Sequence, residues 1–284
     1  MKKIYFVLTI LFFVTTSQTK AQNDSIYFWK NGAMIHKQSV KTADLDSITF
    51  RRPVNPTDIN IPGPDVTDID GNTYQSVANC GLTFTKQNLN VSKYSDGTPI
   101  PQVQDPTQWD NLTTGAWCYY NNDPANGAIY GKLYNWYAVA GIYDAASLAN
   151  PALRKKLAPT GWHIPSDAEW SSLINCLDPN ADGGNSTNIA GGKMKSTGTI
   201  QAGTGLWESP NAAATNASGF TGLPAGYRNG TGTFDNIGYD CLWWSSSEND
   251  TTVAWGRFLY YVDGNAYRIS PNKKNGFSVR CLRD

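Results

Sequence analysis

The chain has 284 residues, and its 23 Lys and Arg residues balance its 23 Asp and Glu residues. This neutral balance gives no electrostatic support for binding to nucleic acid or to an anionic membrane surface. Only 16% of the residues are charged, and the chain is rich in Trp, Tyr, Gly and Asn, which favours a loop-rich extracellular domain with an aromatic core over a helical enzyme.

Residues 1–21 are predicted to be a signal peptide. Lys2 and Lys3 give a short positive segment, residues 4–14 are apolar, and the tripeptide ending at Ala21 offers a small-residue cleavage site. The apolar run is too short to span a bilayer, and no Cys follows it to support a lipid anchor. We therefore expect an exported protein, periplasmic, at the cell surface or extracellular, without a transmembrane segment.

Residues 22–52 are expected to form a small β-rich unit. Ser25–Trp29 and Met34–Val40 are strand-like and flank a Lys-Asn-Gly turn signal, and Ile48–Phe50 is a third candidate strand. This unit is similar to the short leader units of many exported proteins of Bacteroidetes-type bacteria. Residues 53–66 follow with four prolines, which fix φ and remove backbone donors, so they predict an extended linker and a domain boundary.

The remaining chain, residues 67–284, is long enough for one domain with its own core, and it contains two clear helix candidates. Residues 166–169 form a capping box, after which apolar side chains recur at i, i+3, i+4 and i+7 from Trp170. The second helix is predicted over about residues 131–140. Residues 150–157 are a candidate for a shorter helical turn.

The C-terminal third is β-prone, and Asp263-Gly264 predicts a two-residue hairpin turn within it. Helices followed by a meander of strands predict an α+β domain. The candidate strands are Leu242–Ser246, Val253–Val262, Tyr267–Ser270 and Phe277–Leu282.

Several motifs in a fixed order identify a resemblance over residues 67–284. They occupy residues 67–74, 88–90, 130–136, 161–170, 190–195, 219–228, 243–248 and 276–284. In these segments the chain resembles the Fibrobacter succinogenes major paralogous (FISUMP) domain family. The resemblance implies a C-type-lectin-like fold, with two main helices and a C-terminal antiparallel β meander. It also implies a surface-exposed binding or structural module, and it names no ligand.

Five cysteines are present, and their pairing is left open. Export permits disulfides, and an odd number leaves at least one thiol that is free or paired with another chain. No Cys-x-x-Cys spacing occurs, so zinc and redox sites have little support. Members of the family that the chain resembles often carry a Cys where this chain has Ala158, which puts a bridge from there to Cys281 in doubt. The other cysteines are Cys80, Cys118, Cys176 and Cys241.

Catalytic patterns are weak. His163 has no recognisable nucleophile or carboxylate partner in the sequence, so we expect it to hydrogen-bond to backbone in a strand-to-helix connection. A glycosidase needs two facing carboxylates, and nothing in the sequence pairs them, since the capping box already accounts for Glu169. The lectin-like fold also resembles formylglycine-generating enzymes, but no two cysteines match their reactive pair.

Asp178, Asn180 and Asp182, followed by a Gly, resemble the start of a calcium loop. The twelfth position is Ile189 where such a loop has Glu, so a polar surface loop is favoured and calcium binding is left open. No metal or other cofactor is expected.

Aromatic residues alternate on both faces of the last strands, and a sheet is expected to bury only one of those faces. Tyr and Trp beside Asn and Asp at a surface are typical of binding loops. Residues 239–272, rich in Tyr, Asn, Asp and Ser, are also compatible with a variable region of a diversity-generating retroelement. The candidate ligand-binding residues are Trp244, Asn249, Asp250, Tyr260, Tyr261, Asn265 and Tyr267.

Three hypotheses of function remain. The first is an exported, non-enzymatic binding module that recognises a protein or glycan through this aromatic surface. The second is a structural protein of the cell envelope without a dedicated ligand. The third is an enzyme acting on glycans or resembling formylglycine-generating enzymes. The sequence leaves the ligand and the oligomeric state open.

Overall fold

The computed structural model describes residues 58–284, together with the backbone of residues 24–30 and 33–40. The chain divides into two compact units, residues 1–53 and 54–284. In the first, β1 (Asp24–Lys30) and β2 (Ala33–Val40) form an antiparallel hairpin, which confirms two predicted strands. The signal peptide, the third candidate strand and the first part of the linker lie outside the described residues.

The second unit is α+β, with short helices and mostly antiparallel pairing. No helix in the described part of the chain is long and apolar enough to cross a bilayer. The helices are α1 (Pro106–Asp110), α2 (Pro124–Tyr130), α3 (Trp136–Val139), α4 (Ala145–Ala149), α5 (Asp167–Leu177) and α6 (Ala190–Met194). The first strands are β3 (Ile61–Pro62), β4 (Val66–Thr67), β5 (Thr73–Tyr74), β6 (Ser76–Asn79), β7 (Leu82–Thr85), β8 (Trp117–Cys118), β9 (Leu133–Tyr134) and β10 (Trp162–His163). The later strands are β11 (Ala225–Arg228), β12 (Phe234–Ile237), β13 (Asp240–Glu248), β14 (Ala254–Tyr260), β15 (Ala266–Ile269) and β16 (Leu282–Arg283).

Two five-stranded sheets organise this unit. The first has the order β10-β16-β7-β6-β3, so it joins strands from the beginning, middle and end of the unit. The second has the order β12-β11-β13-β14-β15. Its β11–β13 contact is parallel, whereas the other neighbours are antiparallel.

Helix α5 is the best example of a locally determined element. The Ser166 hydroxyl accepts a hydrogen bond from the Glu169 amide at 3.3 Å, and the Glu169 carboxylate accepts one from the Ser166 amide at 2.7 Å. The two bonds satisfy amides that the first turn of a helix leaves free. The predicted apolar face is buried from Trp170 to Leu177. The predicted helix and its capping box are confirmed.

The prediction of one helix over residues 131–140 is wrong. Gly131 ends α2 with a φ of 77°, and a Cβ there would lie 2.9 Å from the carbonyl oxygen of Leu89. The chain then extends as β9 to pair with β8, and Asn135 caps the new helix α3 by accepting from the Ala138 amide at 3.0 Å. The helical turn predicted after Asn150 is a single 3-10 turn at Pro151–Leu153.

The C-terminal meander is confirmed as β13, β14 and β15, but two of its predicted details are wrong. Residues 277–281 are not a strand, because their backbone groups bond to several different segments, and only β16 remains regular. The β14–β15 connection spans residues 261–265 and is not a two-residue turn. The Asp263 carboxylate accepts from the Asn265 amide at 2.8 Å, which shapes this wider loop.

Strand β13 lies between two hydrophobic clusters, so both of its faces are buried. Trp244 belongs to the cluster that includes Leu242 and Phe277, and Trp243 to the cluster beneath α5. Both indoles are 0% exposed. The expectation that only one of them could be fully inside is therefore wrong, because helices and loops cover the sheet on both sides.

Buried cations hold together the segments that lack regular structure. Arg280, Arg228 and Lys195 are each 0% exposed, and most of their donors bond to backbone carbonyl oxygens of distant segments. All three lie in motifs that carry the family resemblance. Those motifs therefore specify how loops are joined in the fold.

One disulfide joins Cys80, after β6, to Cys176 near the end of α5, with the two Cα atoms 6.3 Å apart. The other three thiols, Cys118, Cys241 and Cys281, are unpaired and buried. Burial raises the pKa of Cys118 to about 12, and it raises the pKa of Cys241 and Cys281 too. Such thiols are inert to alkylation in the folded state.

We expect no alkylation of the native protein and three labels after denaturation without reduction, because one pair of the five cysteines is bridged. Intact-protein mass spectrometry measures both numbers. Reduction before labelling is the control and should give five labels. A single label in the unreduced, denatured protein would reveal a second bridge and contradict the assignment.

Candidate functional site

Five aromatic rings form a continuous row at one end of the second sheet, and we call this row the aromatic ridge. Successive ring centroids lie 4.9 Å apart from Tyr239 to Tyr261 and from Tyr261 to Tyr260, then 5.6 Å apart from Tyr260 to Phe258 and from Phe258 to Tyr267. Tyr239 is 39% exposed, and the other four rings are half-buried. The ridge is thus an extended aromatic surface in partial contact with water.

The register of the strands places these rings together. Phe258 pairs with Leu242 on one side and with Tyr267 on the other, and Tyr260 pairs with Asp240. Cross-strand partners point to the same face, so this end of the sheet carries aromatic side chains in adjacent rows. The hydrophobic core covers the same face from Trp244 to Leu242 and only partly reaches Phe258. Beyond that point Tyr260 is partly exposed on this face, whereas Asp240 beside it is buried.

Asp240 lies beside Tyr260 on the same face of the sheet and is not fully paired. It is 5% exposed, and its Oδ2 atom accepts a hydrogen bond from Asn236 Nδ2 at 2.7 Å. Its Oδ1 atom has no hydrogen-bond partner among the described residues. Burial raises the pKa of this carboxyl group to about 6. A buried carboxylate with a free oxygen is costly, and such a group is a common sign of a functional site.

Polar groups border the ridge at its β15 end. The Tyr267 hydroxyl donates to Asp263 Oδ2 at 2.7 Å and accepts from Asn265 Nδ2 at 3.0 Å. Burial and the bond to Asp263 raise the pKa of Tyr267. Below this loop the Lys195 ammonium donates to three backbone carbonyl oxygens, one of them that of Tyr260, so its donors are already used. Burial lowers the pKa of Lys195 to about 8.

The structure brings together four of the seven predicted site residues, namely Tyr260, Tyr261, Asn265 and Tyr267. Asn249 and Asp250 are exposed but lie at the opposite end of the β13–β14 hairpin. There the Asp250 carboxylate accepts from the amides of Thr252 and Val253, which closes the turn.

The prediction that Trp244 lies at the surface is wrong. It is 0% exposed, it stacks on Phe277 with 4.5 Å between ring centroids, and its indole donates to the Tyr134 carbonyl oxygen at 2.8 Å. Sequence reasoning missed Tyr239, Phe258 and Asp240. Asp240 could have been identified from the register of the β13–β14 hairpin, because that register pairs Asp240 with Tyr260.

A second charged cluster lies where α5 meets the other face of the sheet, and it serves the fold. Asp167 accepts from Arg257 at 2.8 Å and from Arg268 at 2.8 Å, and Arg268 stacks over the Trp255 ring at 3.4 Å. Burial alone would raise the pKa of Asp167, but hydrogen bonds from the two arginines lower it below its ordinary value. The cluster therefore fixes the start of α5 on the sheet.

His163 bonds to side chains, which corrects the expectation of backbone partners. Its Nδ1 atom lies 2.6 Å from Asp284 Oδ1, and its Nε2 atom lies 3.0 Å from Glu169 Oε1. Burial lowers the pKa of His163, but these two contacts outweigh it and raise the pKa overall. Since carboxylates occupy both ring nitrogens and Ser166 bonds to Glu169, the arrangement is a capping network and not a nucleophile with its base.

The loop that resembles a calcium site uses its carboxylate internally. Asp178 accepts from the amides of Asn180 at 3.0 Å and Ile189 at 2.9 Å, so it shapes the chain after α5. Between residues 58 and 284, no group of three or more His, Cys, Asp or Glu side chains is placed to hold a metal ion.

A family model described as the Fibrobacter succinogenes major domain matches residues 79–283. No curated protein matches the chain significantly, and neither does any solved structure. The matched range contains the buried cations, α5 and the whole of the second sheet. The chain therefore belongs to the Fibrobacter succinogenes major domain family, as its motifs indicated.

Proposed function

We propose that this protein is an exported binding module of the cell surface or envelope that takes a protein or glycan ligand on the aromatic ridge. The observation that carries the proposal is the continuous row of five partly exposed rings. Contiguous aromatic surface of this kind is typical of interaction sites in soluble proteins. Tyr also supplies rigid contact area together with a hydrogen-bonding hydroxyl.

A binding role is favoured over an enzymatic one by where the cavities lie. Two surface cavities of about 240 Å³ lie away from the ridge, one beside Asp68 and one beside Asn60. The Asp68 carboxylate accepts from two backbone amides, from the Asn72 side chain and from the Tyr74 hydroxyl. It is thus engaged in shaping its own loop and is not free for acid–base chemistry.

A purely structural role is disfavoured by the ridge itself. A protein without a ligand gains little from leaving a row of rings half-exposed beside a buried carboxylate with a free oxygen. The disulfide between Cys80 and Cys176 supports export, because such bridges persist in oxidising compartments. We also propose the C-type-lectin-like fold, which is supported by the β13–β14–β15 meander packed against α5.

Removing a ring from the ridge is expected to weaken ligand binding and leave the melting temperature nearly unchanged. Aromatic anchors in interfaces often contribute about 2 kcal/mol, so we expect roughly a 30-fold loss of affinity for Tyr260→Ala and for Tyr239→Ala. Tyr143→Ala is a matched control, since this tyrosine is 36% exposed but lies far along the chain from the ridge.

The measurement is a glycan array and a displayed-peptide screen with the full chain, followed by affinity and thermal unfolding for each variant. If neither screen yields a ligand, or if the ridge variants bind as well as the Tyr143→Ala control, the ridge is not the binding surface.

A further inference from the structure

The free oxygen of Asp240 indicates what kind of ligand the ridge accepts. A carboxylate that is 95% removed from water normally finds partners for both oxygens, yet here only Oδ2 is bonded. Tyr260 pairs with Asp240 across the hairpin, and on the other side of β13 the parallel Gly226–Cys241 pair sets Ala225 level with Asp240 and Tyr227 level with Leu242. The unpaired oxygen therefore belongs to a residue that lies beside Tyr260 on the same face of the sheet.

The surroundings of Asp240 are acidic. Asp235 on β12 and Asp263 after β14 add two more carboxylates along the same end of the sheet. The cation next to them, Lys195, is fully buried and donates to three backbone carbonyl oxygens, so it makes no bond to Asp240. Three carboxylates, those of Asp235, Asp240 and Asp263, thus lie near one ammonium group at this end of the sheet.

We infer that the ridge recognises a cationic side chain, a lysine or arginine of a partner protein, seated on the ring of Tyr260 beside Asp240. This inference rests on the proposed function and deepens it. Aromatic ring faces attract ammonium and guanidinium groups, and the attraction is stronger where water is excluded. The buried carboxylate adds an opposite charge through a medium that screens weakly.

A partner protein fits the surface better than an amino sugar does. The ridge is a long open row of rings at one end of the sheet, whereas the two cavities beside Asp68 and Asn60 lie elsewhere. An extended peptide can lie along such a row and place one cationic side chain at Asp240. Glucosamine also carries an ammonium group, so comparing its binding with that of a lysine peptide tests whether the ligand is a protein or an amino sugar.

The test is a calorimetric titration of the full chain at about pH 7.5 and low salt with three probes. They are a hexalysine peptide, the same peptide with every side chain acetylated, and a glucosamine hexamer. We expect hexalysine to bind about ten-fold or more tightly than the acetylated peptide, and Asp240→Asn to remove that preference. Asp250→Asn is the matched control, because it removes an exposed carboxylate at the opposite end of the hairpin.

The inference would be overturned if the acetylated peptide bound as tightly as hexalysine. It would also be overturned if Asp250→Asn lost as much of the preference for hexalysine as Asp240→Asn does, because that result would indicate diffuse electrostatic attraction. Tighter binding of the glucosamine hexamer than of hexalysine would assign the site to an amino sugar and overturn the protein ligand. If hexalysine does not bind while Tyr260→Ala still lowers the affinity for another ligand, the inference of a cationic ligand is wrong and the proposed function stands. If the ridge variants affect no ligand, the proposed function itself falls.

Thermal unfolding tests the unpaired charge separately from binding. Burial raises the pKa of Asp240 in the folded state to about 6, above its ordinary value of 3.8. The folded protein therefore keeps the Asp240 proton to a higher pH than the unfolded chain does. Charging Asp240 therefore costs stability as the pH rises through this range, and the cost is absent below it. Asp240→Asn is expected to melt higher than the wild type at about pH 7.5, by a margin that disappears near pH 4.

The other groups near Asp240 are the same in the wild type and in Asp240→Asn. Their titration therefore cancels when the melting temperatures of the two proteins are compared at one pH. The titratable groups are Tyr227 on β11, Asp235 on β12, Tyr260 on β14 and Asp263 after β14, and the Asn236 amide on β12 does not titrate. A margin that is the same at both pH values would mean that the charge is already compensated in the free protein, which would overturn the inference.

Discussion

Replacing Arg280 with alanine is expected to lower the free energy of unfolding by about 3 to 5 kcal/mol, because it leaves several buried acceptors without donors. Arg280 is 0% exposed and donates to the Asn88 side chain and to the carbonyl oxygens of Thr85, Phe220 and Thr221. Those acceptors belong to segments far apart in sequence. One guanidinium thus joins the end of β7 to residues 220–221, which belong to no regular sheet or helix.

Lysine is not expected to replace Arg280. A lysine keeps the charge but loses the planar fork that reaches several acceptors at once. Burial lowers the pKa of Arg280 to about 9, which shows the cost of holding this charge without a carboxylate partner. We expect Arg280→Lys to recover less than half of the stability that Arg280→Ala loses.

Denaturant unfolding monitored by tryptophan fluorescence measures these changes. Arg283→Ala, in the same motif but half-buried, is the control and should change stability by less than about 1 kcal/mol. Equal stability of Arg280→Ala and the wild type would refute the idea that this motif specifies the fold through its arginine.

Replacing Trp244 with alanine is expected to destabilise the domain by about 3 to 5 kcal/mol, since a large buried side chain leaves a cavity. The variant also loses the stacking on Phe277 and leaves the Tyr134 carbonyl oxygen without its 2.8 Å donor. Trp255→Ala is the control, because Trp255 is half-buried on β14 and packs chiefly on Arg268. We expect it to cost about 1 kcal/mol.

The same unfolding measurement decides between the two assignments of Trp244. A variant that keeps its stability and loses a ligand would return Trp244 to the binding surface. A destabilised variant that still binds at low temperature would confirm its place in the core.

The family motifs and the ridge occupy different parts of the chain. The motifs contain Arg228, Lys195 and Arg280, which join loops in the interior. The ridge lies outside the motif segments, at Tyr239 and within residues 258–267. The buried cations of the motifs therefore account for how loops are joined in the fold, whereas the five rings of the ridge come from residues between the motifs.

The sequence by itself determined the features that depend on neighbouring residues. The capping box at residues 166–169 and the apolar spacing after it act within one helix, so α5 forms as predicted. The strands of the meander follow from runs of β-prone residues, and the motif order gave the family. These signals involve residues close together in the chain, so the sequence contains each of them as a continuous segment.

Only the tertiary structure decided which side chains meet and which remain in water. Trp243 and Trp244 alternate across a strand as the sequence indicates, yet both are buried because separate layers cover the two faces of β13. The ridge depends on where one of those layers ends, near Phe258. The isolation of Asp240 depends on the register that places it opposite Tyr260. Contacts of this kind join residues far apart in the chain, and no local pattern encodes them.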